Sequence, residues 1–158
     1  MSLHLIKLCV GVDTISELED WIVEKRRRVG RGADPRHSHI TRMAPKRAAE
    51  LLDGGSLYWV IKGQLSCRQK LLAVEPFTDQ EGIGRCRLVL DPGVVPVSPR
   101  PYRPFQGWRY LQDRDAPADL GALDCPVLFI AGEDDLVMPA CGLEAVSRHA
   151  ARGAFVTV

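Results

Sequence analysis

The sequence predicts an α+β fold: a small mixed or antiparallel sheet with two helices packed on it, followed by a short C-terminal β-α-β appendage. Three observations lead there. Two early segments space their apolar residues as helices do, and a succession of strand-length runs follows them, rich in β-branched and aromatic residues. Late in the chain the apolar run "CPVLFIAG" opens a strand-helix-strand order, the signature of a parallel pair.

Taken in order, His4 to Val10 alternates imperfectly and reads as a first strand. In "DTISELEDWIVEKRRR", Ile15, Leu18 and Ile22, with Trp21 beside them, form a helical apolar stripe. Thr14 and Glu17 fit a capping box, and Arg26, Arg27 and Arg28 complement the dipole in the last turn. "VGRGADPRHSH" is a loop and "HITRM" a short strand. "APKRAAELLDGG" is a second helix, with Pro45 in its first turn and Gly54 or Gly55 ending it. "SLYWVIKG" and "QLSCRQKLLAVEPF" form a hairpin about Lys62-Gly63-Gln64, and "RCRLVL" is a further strand. The Pro-rich "DPGVVPVSPRPYRPFQ" reads as an extended, largely irregular crossing, and "GWRYL" as the segment that closes the sheet. "QDRDAPADLGAL" is a linker, which divides the chain into units of residues 1–118 and 119–158.

Bulk properties bound the function. The 158 residues are 46% hydrophobic and 26% charged, the balance of an ordinary globular chain, and no apolar run reaches membrane-spanning length. "MSLHLIKLCVGV" has no small-residue cleavage site and reads as a strand, not a signal peptide. An odd set of five cysteines without CxxC spacing suits buried thiols in a reducing, cytoplasmic setting. The net charge of +1 divides unevenly: residues 1–118 hold 19 basic and 14 acidic side chains (+5), and residues 119–158 hold 2 and 6 (−4).

Two resemblances meet at the linker. The words "HLIKLCVGV", "RMAPKRAAELLDGGSLYWVIKG", "CRQKLLAVEPF", "RCRLVLDP" and "RPFQGWRYL" resemble, in order and spacing, the bacterial family catalogued as domain of unknown function 1489. That resemblance runs to about Leu120 and implies no catalytic residues. Residues 124–158, with "PVLFIAGEDDLVMP", resemble the C-terminal acid-strand segment of an α/β-hydrolase, which places Asp134 or Asp135 at the position of the triad acid. The remaining triad members are missing. The nearest approach to a G-x-S-x-G elbow is "GGSLY", where Tyr58 replaces the second Gly, and no histidine loop follows "AFVTV". Without an imidazole an acid cannot activate a serine, so the hydrolase-related reading is that of an incomplete, inactive triad.

The candidate chemistry in residues 1–118 is the interleaving of cations and rings. Arg42, Lys46 and Arg47 lead into the second helix, Trp59, Lys62 and Arg68 lie on the hairpin, and Trp108 and Arg109 sit in the last strand of that unit. Cations neutralise phosphates and flat rings stack on bases, so RNA, a nucleotide or another anionic ligand is the predicted partner of a non-enzymatic binding module. A helix feeding a curved small sheet is also similar, at the level of fold alone, to the RNA-binding PUA-like barrels. The competing reading makes Trp59 and Trp108 core residues and the cations solubilising ones. A third reading uses the Pro-rich segment as an extended protein-interaction motif.

Other patterns fall short of a site. His37 and His39 lack the further ligands that a metal requires. "RVGRGADP" lacks the third Gly and the leading strand of a dinucleotide site. Cys67 beside Arg68 and Lys70 could be a reactive thiol, or a core residue. Glu75, Asp79 and Glu81 bracket a turn and are not set across a cleft. No catalytic group, metal or cofactor is predicted.

Overall fold

The structure is a computed structural model that describes residues 2–29, 34–123, 127–131 and 153–157. It is α+β, as predicted. Nine strands and two helices are described, in the order β1 (Leu3–Leu8), α1 (Ile15–Arg27), β2 (Ser38–Thr41), α2 (Ala48–Leu52), β3 (Ser56–Ile61), β4 (Gln64–Thr78), β5 (Gly84–Leu90), β6 (Val95–Pro101), β7 (Trp108–Gln112), β8 (Val127–Ala131) and β9 (Gly153–Thr157).

Seven strands form one mixed sheet in the order β2-β5-β4-β3-β1-β7, with β6 paired to β4. Within this sheet, among the described strands, only β1 and β3 run parallel, and α1, β2 and α2 make the crossover between them. The sheet is open, with β2 at one end and β7 at the other, so the barrel suggested by analogy is not closed. β4 carries two ladders: Gln64 to Lys70 pair with β3, and Leu71 to Thr78 pair with β5.

Local chemistry sets the boundaries. Thr14 Oγ1 accepts from the Glu17 N–H at 3.1 Å, while Glu17 Oε2 accepts from the Asp13 N–H at 2.8 Å, one residue earlier than the expected capping box. α2 starts at Ala48, later than the sequence suggests, because Pro45, Lys46 and Arg47 lead in through a turn. Gly54 ends α2 with φ +85°, a left-handed position that glycine takes without strain. The expected hairpin joins β3 to β4, with Lys62 and Gly63 both at positive φ (45° and 75°), the pattern that matches strand twist.

The Pro-rich segment is more regular than its composition implies. Val95 to Pro101 form a strand whose ladder is with β4 and whose other side carries a single bridge, Val97 to Asp119, the kind of edge position that tolerates missing N–H donors. β7 pairs antiparallel to β1 at the sheet's end.

Both faces of β3 are buried. Leu57, Trp59 and Ile61 join a core with Ile15, Leu18 and Ile22 of α1 and Leu51 of α2, while Tyr58 and Val60 join a second cluster with Ile6, Leu65 and Leu111. Each fully buried aliphatic side chain contributes about 1.5–3 kcal/mol, so the α1 stripe accounts for the docking of that helix. Beyond residue 118 the chain stays on this sheet: Leu120 is 1% exposed in the first core, and the Ser98 N–H donates to the Ala118 carbonyl at 2.8 Å. β8 and β9 pair with each other in parallel, Val127 opposite Gly153 through Ala131 opposite Thr157. The helix expected between them lies outside the described residues.

Candidate functional site

The predicted cations and rings do not gather on one surface. Trp59 is 4% exposed and faces the first core with Cys67; its indole N–H donates to Gln69 Oε1 at 2.9 Å. Arg68 pairs across the strands with Tyr58, on the opposite face of the sheet, and its guanidinium grips Asp119 at 2.7 and 2.6 Å. Lys62, in the hairpin turn, makes an ion pair with Asp13 at 3.1 Å. Arg109 lies over the Phe105 ring and Arg42 beside Phe77 and Arg85. One small group does come together. The Arg47 guanidinium lies 5.5 Å from the Tyr110 ring centre, and Trp108 meets the same ring edge-on at 5.0 Å. Lys46 is exposed next to it. Asp134 and Asp135 lie outside the described residues.

Ser56, the residue of the degenerate elbow, is 2% exposed and sits near a histidine and an acid after all. The Ser56 backbone N–H donates to His4 Nδ1 at 3.0 Å, so the imidazole proton is on Nε2, which faces Asp113 Oδ1 at 3.1 Å. The Ser56 hydroxyl accepts from Arg68 Nη1 at 3.0 Å. A serine protease-like relay needs the acceptor nitrogen of the imidazole on the hydroxyl; here the backbone occupies it. With Arg68 and Asp119, these contacts fasten residues 113–119 to the sheet.

Cys67 belongs to the core as well. It is fully buried, and burial pushes its thiol well above the ordinary range, the opposite of an activated thiolate. Asp79 accepts from the Glu81 and Ile83 N–H groups and pairs with Arg85, and Glu75 pairs with Arg36, so the acids of that hairpin are structural.

The strongest candidate site is a cavity of about 590 Å³ where α1 and the Cys9–Val12 segment cover β1, β2 and β3. Trp21 and Trp59 supply rings, His37, His39 and Gln69 supply neutral polar groups, and Lys7 and Lys25 supply the charge. Among the described residues no carboxylate lines it. Its volume falls within the range of small-molecule sites.

Each polar group there has a specific environment. Lys25 Nζ donates to the Ser38 carbonyl at 2.6 Å and lies 4.8 Å from the Trp21 ring centre; burial lowers its pKa. No acid pairs with Lys25 among the described residues. His37 is 6% exposed, and neither its Nδ1 nor Nε2 of His39 has a hydrogen-bond partner among the described residues. Burial holds His37 down to about 4, helped by the Lys25 and Arg26 charges and opposed by the Gln69 side chain. His39 is held to about 4 by burial, then by Lys7, Lys25 and His37. Burial raises the Cys9 thiol to about 11 against the pull of Lys7. At neutral pH the cavity therefore presents two neutral imidazoles, a protonated thiol and two lysines.

That electrostatic balance suits an anion and opposes a metal. Two lysines facing two imidazoles repel a cation, and among the described residues no group of three His, Cys, Asp or Glu can hold one. Buried imidazole nitrogens without partners are costly unless a guest completes them.

Most of these residues escaped sequence reading. Lys25 falls on the apolar stripe of α1, seven residues after Leu18 and three after Ile22, and a lysine in that place was the available signal. His37 and His39 are two apart in extended chain and so face one side.

No curated protein and no solved structure matches the chain. A family model described as a protein of unknown function, DUF1489, matches residues 5–126, a range that takes in most of β1, all of β2 to β7 and the Leu120 turn that packs on the sheet. The chain belongs to the DUF1489 family.

Proposed function

We propose that the protein is a non-enzymatic binding module whose ligand is a small anion bearing a flat ring, a nucleotide in chemical class, held in the cavity beneath α1. The observation that carries this reading is Lys25: a half-buried ammonium with a carbonyl and a ring for company, in a cavity that no carboxylate lines among the described residues. An ammonium so placed has lost hydration without gaining a counter-ion, and an anionic guest restores the balance. Trp21, 47% exposed, offers ring surface to a planar group, Trp59 closes the apolar floor behind it, and the imidazole nitrogens without partners among the described residues offer hydrogen bonds. The alternative surface is the half-buried Tyr110–Trp108 pair with the exposed Arg47, whose guanidinium also meets Glu50; it is suited to a single-stranded RNA base and phosphate.

Calorimetric titration separates the two. A nucleoside monophosphate is expected to bind the cavity at least about tenfold more tightly than its uncharged nucleoside, and Lys25→Met to abolish that preference. Equal affinity for nucleoside and nucleotide, or no binding of either, overturns the reading. RNA binding that survives Lys25→Met but fails in Arg47→Glu assigns the ligand to the exposed group instead.

A further inference from the structure

We infer that an anion entering the cavity beneath α1 carries a proton in with it, taken up by the imidazole pair His37 and His39, so that affinity rises on mild acidification. The inference rests on the ligand-binding reading of the same cavity and adds its coupling to pH. Its basis is geometric. The two imidazoles line one cavity, and each holds a nitrogen, Nδ1 of His37 and Nε2 of His39, that nothing among the described residues satisfies.

The charged and titratable surroundings come from every element packed around them. β1 supplies Lys7, the segment after it supplies Cys9, and α1 supplies Lys25 and Arg26. β4 supplies only the neutral Gln69, and the rings of Trp21 and Trp59 meet His37 and His39 edge-on at 6.3 and 5.2 Å. Every ionised group in that set is a cation. Burial and these cations therefore keep both imidazoles neutral until the medium is strongly acidic, each held down to about 4.

A bound anion reverses the sign of the nearest charge. An opposite charge at hydrogen-bond distance raises a histidine by about 1–3 pH units, which brings it from about 4 toward the mildly acidic range. By linkage, a group that binds its proton more tightly in the complex than in the free protein makes binding tighter as pH falls. The proton comes from solvent and stays on the ring nitrogen that lacked a partner; no other bond is made or broken.

The test uses a cyclic nucleotide, whose phosphodiester keeps one charge throughout the range, so that only the protein can titrate. Titrations near pH 6 in two buffers of different ionisation enthalpy should reveal a net uptake of about half a proton or more. Between about pH 7.5 and about pH 5.5 the affinity should rise about tenfold. In the His37→Asn, His39→Gln double variant the ratio of affinities at the two pH values should fall to about one. Binding without proton uptake overturns this inference and leaves the ligand reading standing. Absence of binding at every pH overturns both.

Discussion

Gly55→Ala is expected to cost about 4 kcal/mol or more and to leave the chain largely unfolded at physiological temperature. A Cβ at position 55 would lie 2.2 Å from the Leu51 carbonyl oxygen and 2.3 Å from that of Leu3. Both obstacles are backbone, so no side chain can rotate away. The glycine sits where three elements converge. Its N–H donates to the Leu51 carbonyl at the end of α2, and its own carbonyl accepts from the Leu71 N–H of β4. Leu3 and Leu51 are 2% and 0% exposed, so displacing either strand or helix disturbs the core. Thermal melts of Gly55→Ala and of Gly84→Ala check the point. The second has no atom within 4 Å of its added Cβ and should melt within a few degrees of wild type. A Gly55→Ala melt close to wild type would contradict the packing described here.

Acid is expected to weaken the fold through the same imidazoles that line the cavity. His37 and His39 titrate near 4 in the folded chain and near 6.5 when unfolded. Between those values the unfolded state binds more protons, so stability rises with pH across the window. Their contribution is fully present above about pH 6.5 and is lost as pH falls toward 4. Solvent screening holds the contribution of each below the full shift, to about 1–2 kcal/mol. Urea midpoints read by tryptophan fluorescence at about pH 7 and about pH 4.5 should differ strongly in the wild type and much less in the His37→Asn, His39→Gln variant. Equal wild-type midpoints would show that the imidazoles are not buried as described.

Elements were legible in the sequence wherever local chemistry decides them. The α1 stripe, the Thr14 cap, the Lys62-Gly63 hairpin and the family words around "LLDGGSLYWVIKG" all gave their structure directly. What depends on distant partners was not legible. The proline count of residues 91–106 hid an edge strand, because the ladder of β6 uses the free edge of β4 and does not need every N–H. The linker composition of residues 112–122 hid Leu120, a core residue, and Asp119, which holds Arg68.

The site shows the same division. Arg68, Lys62 and Trp59 read as ligand groups because the sequence gives their types but not their partners, Asp119, Asp13 and Gln69. Alternation along β3 and β4 then places Trp59 and Arg68 on opposite faces, so that one ligand cannot meet both without crossing the sheet. The cavity residues come from α1, β1, β2, β3 and β4, a convergence that only the crossover topology brings about.

The three tryptophans provide the most direct measurement of where a ligand binds. Trp21 and Trp59 line the cavity, whereas Trp108 donates its indole N–H to the Met43 carbonyl beside Arg47 and Tyr110. In a proton–nitrogen correlation spectrum each indole N–H gives its own signal. Titration with a nucleotide should shift the Trp21 and Trp59 signals, together with the His37 and His39 ring resonances, and leave Trp108 in place. A shift confined to Trp108 would contradict the account and move the binding function to the exposed face.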